Sequence, residues 1–252
     1  MEYEAFIKEV FELVTQNIPY PIRDVEEKAS KELVTTTDLA VEQLIREEIK
    51  KTYPEHGIRG EEEEDYNAAS EYQWVIDPID GTTNYAHNIP VFCVAIALLH
   101  DQEVIAAGVH QPITQDVYLA TRGRGATKNG ALLRVQETPL SEALIGFCHA
   151  NNQEAVAWIT QRYERLKNAT RDFRRLGSAN LELCMVATGD LAGFVGYEIQ
   201  PWDFLAGCLI AAEAGCTITN LQGGLWEDKN VRSVLAAPKN LHEELTQHIN
   251  TS

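Results

Sequence analysis

The sequence predicts an α/β protein whose strands and helices stack in layers within one catalytic unit. Segments with a helical period alternate with β-prone apolar runs in both halves of the chain. At 252 residues and 44% hydrophobic content there is enough apolar side chain for a sizeable core. No internal repeat, low-complexity tract or Pro/Ser linker divides the chain, so residues 1–252 read as one domain. Within it, an N-terminal lobe over about 1–139 and a C-terminal lobe over about 140–252 are expected to face each other across a cleft.

The first helix is marked by Tyr3, Phe6, Ile7, Val10, Phe11 and Val14 at helical spacing, and it ends before Pro19 and Pro21. Residues 24–32 are charged and poor in large apolar side chains, which reads as a solvated loop carrying Lys28 and Lys31. Thr37 or Asp38 can cap a second helix through Leu39, Val41, Leu44, Ile45 and Ile49, ending at Tyr53-Pro54. Five acids follow, Glu61 to Asp65, for which a solvated loop is the plain reading.

Trp74 to His87 organises the chain. Trp74, Val75 and Ile76 predict a buried strand that delivers Asp77 to its end, and Pro78 is expected to stop the ladder there. The turn then brings Asp80 to the side of Asp77. Two carboxylates so close repel unless a cation sits between them, and an all-oxygen set that includes the Ile79 carbonyl suits Mg²⁺ or Mn²⁺. Gly81, Thr82 and Thr83 offer main-chain N–H groups for an anion. Taken alone, Asp-Pro-Ile-Asp-Gly-Thr is equally well a plain turn.

Beyond it, residues 91–99, 104–111 and 117–121 predict an antiparallel meander, with further turns at Gly123, Gly125 and Asn129-Gly130. Arg122 and Arg124 read as turn residues rather than a phosphate clamp. His87, His100 and His110 lack metal-ligand spacing. Residues 144–147 predict a strand. A helix over 153–166 is expected to bury Val156, Ile159, Tyr163 and Leu166. Arg171 to Arg175 is a basic cluster that fits a strand edge, a dimer contact or a substrate-facing arginine. Gly177, Ser178 and Ala179 break the chain before a helix through Leu181, Leu183, Met185 and Val186, whose first N–H groups could meet substrate. A strand over 193–196 precedes Tyr197-Glu198, and Trp202-Asp203 opens a last helix ending near Gly215.

The formal net charge of −17 disfavours nonspecific contact with nucleic acid or an acidic membrane surface. An anionic substrate must therefore be drawn in by bound metal. Neither a signal-like segment nor a bilayer-length apolar run is present in these residues, so a cytoplasmic protein is expected. Cys93, Cys148, Cys184, Cys208 and Cys216 are scattered in apolar contexts and read as buried thiols.

Five blocks together resemble the Mg²⁺-dependent inositol monophosphatases within the lithium-sensitive sugar and nucleotide phosphatase superfamily. They are LVTTTD (33–38), GEE (60–62), DPIDGTTNYAH (77–87), RLGSA (175–179) and PWDFLAG (201–207), in the family's order and at roughly its spacing. The resemblance implies an α-β-α-β-α layered sandwich of the sugar phosphatase type and hydrolysis of a phosphate monoester. It implies two Mg²⁺ ions bridged by Asp77, one completed by Glu61 and the Ile79 carbonyl, the other by Asp80 and Asp203. A third, weaker Mg²⁺ near Glu61, inhibition by Li⁺ and a homodimer are carried with it.

In the same comparison Glu61 and Thr82 orient the attacking water, Asp38 supports Thr82, and Glu62 lies behind Glu61. The substrate would meet Asp80, Gly81, Thr82, Gly177, Ser178, Ala179, Glu198 and Asp203. Around Glu198 the stretch YEIQPWD is shorter than the family's spacing and lacks its glycine. A lysine in the mobile segment before the second helix, Lys28 or Lys31, would close over the site. TTNYAH points to inositol monophosphate, with fructose bisphosphate, NADP or a nucleotide phosphate as alternatives. A noncatalytic regulatory protein on the same scaffold is the alternative from another class.

Overall fold

The structure is a computed structural model and describes residues 2–21, 26–27, 33–34, 36–227 and 230–250, with backbone only at 26–27 and 33–34. Lys28 and Lys31 lie outside the described residues. The layers run α-β-α-β-α, as the resemblance implied. Helices α1 (Glu2–Thr15) and α2 (Thr36–Thr52) cover the outer face of a seven-stranded sheet. Helices α5 (Ala179–Thr188) and α6 (Pro201–Glu213) fill the space between the sheets, and α4 (Gln153–Ala169) and α7 (Lys239–Asn250) cover the far side of a five-stranded sheet. A short α3 (Thr82–Ala86) follows the central motif, and β1 (Glu26–Glu27) pairs antiparallel with β2 (Leu33–Val34).

The larger sheet runs in chain order: β3 (Gly57–Gly60), β4 (Tyr72–Asp80), β5 (Cys93–His100), β6 (Glu103–Gln111), β7 (Asp116–Thr121), β8 (Ala126–Lys128) and β9 (Ala131–Leu132). Strand β3 is parallel to β4, and from β4 onward the pairs are antiparallel, which is the expected meander extended by two short strands. The smaller sheet contains β10 (Leu144–His149), β11 (Asp172–Arg174), β12 (Gly193–Tyr197), β13 (Thr217–Thr219) and β14 (Ser233–Ala237), in the order β11-β10-β12-β14-β13. The basic cluster lies on edge strand β11, where Arg174 Nη1 pairs with Asp172 Oδ2 at 2.8 Å. Among the described residues no helix is long and apolar enough to cross a membrane.

Three expectations change. Pro78 does not end the ladder: β4 continues to Asp80 through a bulge, Asp77 facing Ala95 and Asp80 facing Cys93. Three steps on β4 match two on β5, so the extra residue cancels the alternation that would set Asp77 and Asp80 on opposite faces. In α2, Leu39 is 47% exposed, whereas Asp38, Glu42 and Arg46 are buried beside Val41, Ile45 and Ile49. In α4, Val156 and Tyr163 face solvent and the buried stripe is Ala155, Ile159 and Leu166. Periodicity weighted by bulk had passed over Ala155, which a closely packed sheet accepts more readily than Val156.

Gly108 on β6 lies under α1. A Cβ there would reach within 2.5 Å of Ile7 Cγ2 and 2.8 Å of the Phe11 ring, so the helix rests directly on the strand. The loop between β11 and α5 is fixed from two sides. Asn84 Nδ2 donates to Leu176 O at 2.7 Å and to Val91 O at 2.7 Å, and Glu182 Oε1 accepts the Leu176 and Gly177 N–H groups at 3.1 Å each. Glu182 Oε2 is buried without a hydrogen-bond partner. Burial outweighs the two N–H groups and pushes the Glu182 acid from an ordinary 4.5 up to about 8.

Two outcomes are expected from this packing. Gly108→Ala should cost about 1–3 kcal/mol in urea denaturation, the usual penalty for overpacking; an unchanged midpoint would show that α1 can shift freely. Between about pH 4.5 and 8 the folded protein keeps a Glu182 proton that the unfolded chain releases, so this group's contribution makes stability fall as pH rises. Glu182→Gln, which mimics the protonated acid, should show a shallower decline of Tm over that range, with the gap in its favour largest near pH 8. Equal slopes for the two proteins would reject the shift.

Candidate active site

The bulge of β4 and the start of α3 carry the central residues. Asp77 is 1% exposed and its Oδ1 has no hydrogen-bond partner. Burial raises its pKa well above the carboxylate range, and Glu61, Asp80, Asp203 and Asp38 push it further in that order. Four acids from β3's exit, the β4 bulge, α6 and α2 thus act on a fifth. Among the described residues no three His, Cys, Asp or Glu side chains are already gathered as a metal-ligating group.

Asp80 is pulled toward the second half of the chain. Its Oδ1 accepts from Ala179 N at 3.1 Å and its Oδ2 from Asn180 N at 2.6 Å, while Cys93 Sγ lies 3.6 Å from Oδ2. Ser178, the N-cap of α5, makes no side-chain cap bond, so Asp80 caps that helix from another sheet. Burial pushes the Asp80 acid up to about 6, against the opposing hydrogen bonds from Asn180, Ser178, Ala179 and Cys93. Ser178 and Ala179 therefore meet Asp80 directly, and Gly177 packs its carbonyl against Gly81.

Gly81 has φ +98°, a left-handed turn natural to glycine, and a Cβ there would lie 3.0 Å from Gly177 O and Val91 O. Thr82 opens α3, and its Oγ1 lies 3.1 Å from Asp38 Oδ1 and 3.0 Å from Ile79 O. A hydroxyl has one proton, so it donates to one of the two at a time. Asp38, expected as a possible N-cap, sits inside the first turn of α2, fully buried and facing Thr82. The link between Asp38 and Thr82 is thus present, with Asp38 inside the helix and not at its N-cap position.

Glu61 follows β3 directly and is half-buried, while Glu63, Glu64 and Asp65 are exposed, as a solvated loop would be. Asp203 is the third residue of α6 and its Oδ2 accepts Gln200 N at 2.6 Å in a capping box. The Cys148 thiol is raised first by burial and then by the charges of Asp203, Glu182 and Asp80. Glu198 has φ +56° and lines a cleft of about 660 Å³ with Tyr197, Asn220, Asn230 and Arg232. Neither Asp77 nor Asp80 lines that cleft.

Sequence reasoning passed over Asn84, Glu182, Glu42 and Arg46. Asn84 sits within the quoted DPIDGTTNYAH block, and Glu42 and Arg46 follow Asp38 at steps of four on one helix face; that spacing was the available signal. Cys93, Cys184 and Cys208 are buried as expected, while Cys148 and Cys216 are half-buried. Arg122 pairs with Glu227 and donates to Val104 O at 2.8 Å. His110 is buried against Thr15 Oγ1 at 2.7 Å, and all five cysteines are free thiols.

The model of the inositol monophosphatase family matches residues 2–252. The chain is 33% identical over 248 residues to the inositol monophosphatase of Dictyostelium discoideum, covering 96% of this chain and 91% of that protein. It is 38% identical over 226 residues to a putative Nus factor SuhB of Neisseria meningitidis, covering 87% and 85%. Among solved structures, inositol monophosphatase from Anabaena (Nostoc) sp. PCC 7120 superposes with a TM-score of 0.86 at 30% identity, over 98% of this chain and 95% of that one. By whole-length match in sequence and in fold, this chain belongs to the inositol monophosphatase family.

Proposed function

We propose that the protein is a Mg²⁺-dependent phosphate monoester hydrolase acting on a small phosphorylated polyol, with myo-inositol monophosphate as the leading substrate. The observation that carries this reading is the buried Asp77 carboxylate, with an unpartnered Oδ1, in the field of Glu61, Asp80, Asp203 and Asp38. The donor set is all oxygen, and a hard divalent cation is the species that turns its mutual repulsion into attraction. On this reading Glu61, Asp77, Asp80, Asp203 and the Ile79 carbonyl would hold two Mg²⁺ ions, with a weaker third near Glu61. Bound there, the ions would supply an acidified water and neutralise charge on the phosphoryl and leaving oxygens.

The chain's own groups do the rest. If Thr82 gives its single hydroxyl proton to Asp38, the Oγ1 lone pairs remain to accept a hydrogen bond from water and so orient it. Glu61 takes the proton that this water loses. The first-turn N–H groups of a helix have no partner inside it, so those of Gly81 and Thr82 are suited to phosphoryl oxygens. Gly177, Ser178, Ala179, Asp203 and Glu198 would line the polyol side.

A second reading has its own support. A relative at 38% identity is named a putative Nus factor, so a regulatory role on the same scaffold is the alternative. Release of inorganic phosphate separates the two.

With Mg²⁺ present, kcat/KM is expected to be highest for inositol monophosphate in a panel with fructose 1,6-bisphosphate, NADP and nucleotide phosphates. Activity should vanish with chelator and return with Mg²⁺. No phosphate release from any member would favour the regulatory reading. Asp77→Asn should lower kcat by at least about 10³-fold. In the metal-free state at pH 7 its Tm should equal or exceed that of the unaltered protein, because burial and four neighbouring acids raise the Asp77 pKa on folding and Asn carries no such cost. Near-normal turnover by this variant would reject the site.

A further inference from the structure

We infer that the buried Glu42–Arg46 pair on α2 is a clasp that positions Glu61 for metal binding, an inference that rests on the phosphatase reading. Glu42 is fully buried and Arg46 is 2% exposed, one helical turn apart. Glu42 Oε1 accepts Arg46 Nε at 2.8 Å and Glu63 N at 3.1 Å, and Glu42 Oε2 accepts Glu62 N at 2.9 Å. Arg46 Nη1 donates to Glu64 O at 3.1 Å and Nη2 to Glu63 O at 3.0 Å. The pair therefore grips the backbone of the acidic segment at four points, and Arg46 Nε also lies 3.6 Å from the Glu63 carboxylate.

Glu61 is held on both sides by this arrangement. On its N-terminal side, the space a Cβ of Gly60 would occupy is filled by the Glu42 carboxylate, so strand and helix can approach only with glycine there. On its C-terminal side the Glu62 N–H is bound to the same carboxylate. Glu61 has little backbone freedom left between them. Without the clasp, five consecutive acids would repel one another and favour an extended, wandering loop.

Stability alone does not account for such a pair. Two buried opposite charges rarely hold a fold better than apolar residues of the same volume, because desolvation offsets their attraction. What they do provide is a fixed direction, since the guanidinium fork matches two carbonyls and the carboxylate matches two N–H groups. Asp38, four residues before Glu42, faces Thr82 from the same helix. One stripe of α2 thus sets both the hydroxyl and the carboxylate assigned to the attacking water. Glu42 and Arg46 are positioning residues, acting through Glu61.

The test is Mn²⁺ binding to the full chain, followed by electron paramagnetic resonance of the free ion, for the unaltered protein, Glu42→Gln, the paired change Glu42→Gln with Arg46→Met, and Arg46→Lys. The first variants should weaken Mn²⁺ binding about 10–100-fold, the usual effect of losing a group behind a ligand. Circular dichroism should remain native, and kcat should fall while KM for substrate changes less than about twofold. Arg46→Lys keeps the charge but cannot span two carbonyls, so its Mn²⁺ affinity should fall between the two. Lowered Tm with unchanged Mn²⁺ affinity in every folded variant would overturn the clasp and leave a purely structural pair. If the unaltered protein binds no Mn²⁺, the phosphatase reading fails and this inference fails with it.

Discussion

The Asp80 carboxylate leaves the bulge of β4 and receives the first two N–H groups of α5, a helix from the other half of the chain. Helix α5 runs between the two sheets, so this contact sets where the second half stands against the central motif. The helix N-terminus carries partial positive charge and unpaired donors, both of which an acid satisfies. Burial still raises the Asp80 acid to about 6, so the capping does not fully offset desolvation. Asn84, reaching from α3 to Leu176 O, and Glu182, reaching from α5 to Leu176 and Gly177 N, tighten the same seam.

A chain of net charge −17 that also buries Asp38, Asp77, Asp80, Glu42 and Glu182 spends folding free energy on its acids. They differ in how that cost is met. Glu42 has Arg46 and two N–H groups, Asp38 has Thr82, and Asp80 has a helix end. Asp77 has an oxygen with no hydrogen bond at all, and it is the residue on which the other fields converge. Glu182 also keeps one unpartnered oxygen, but only at Asp77 does such an oxygen coincide with the field of four other acids, which marks a place shaped for binding more than for stability.

Family membership leaves the reaction's substrate to the residues around this centre. One relative bears the name inositol monophosphatase and another the name of a putative Nus factor, at comparable identity to this chain. A shared scaffold is compatible with both, because the layers fix the acids while the loops decide what is admitted. Here the segment from Glu198 to Asp203 is short, and Glu198 adopts a left-handed backbone beside Arg232 in an open cleft.

The sequence by itself determined the α/β class, the meander, the amphipathic α1, the bulk of α5 and α6, and the acids that the site draws on. Each is written in local pattern: alternating or helical apolar spacing, turn residues, and Asp-Pro-Ile-Asp-Gly-Thr after a buried strand. Strands β3, β13 and β14 are short and lack a motif to anchor them, and helix α7 was passed over although Leu241, Leu245 and Ile249 stand at helical spacing. Only the tertiary structure decided that Pro78 sits in a bulge, that Asp80 caps a helix about a hundred residues away in sequence, and that Glu42 and Arg46 turn inward. Those outcomes depend on which surface comes to lie opposite each residue. A polar side chain at helical spacing reads as solvent-facing until the partner that satisfies it is brought alongside by the fold.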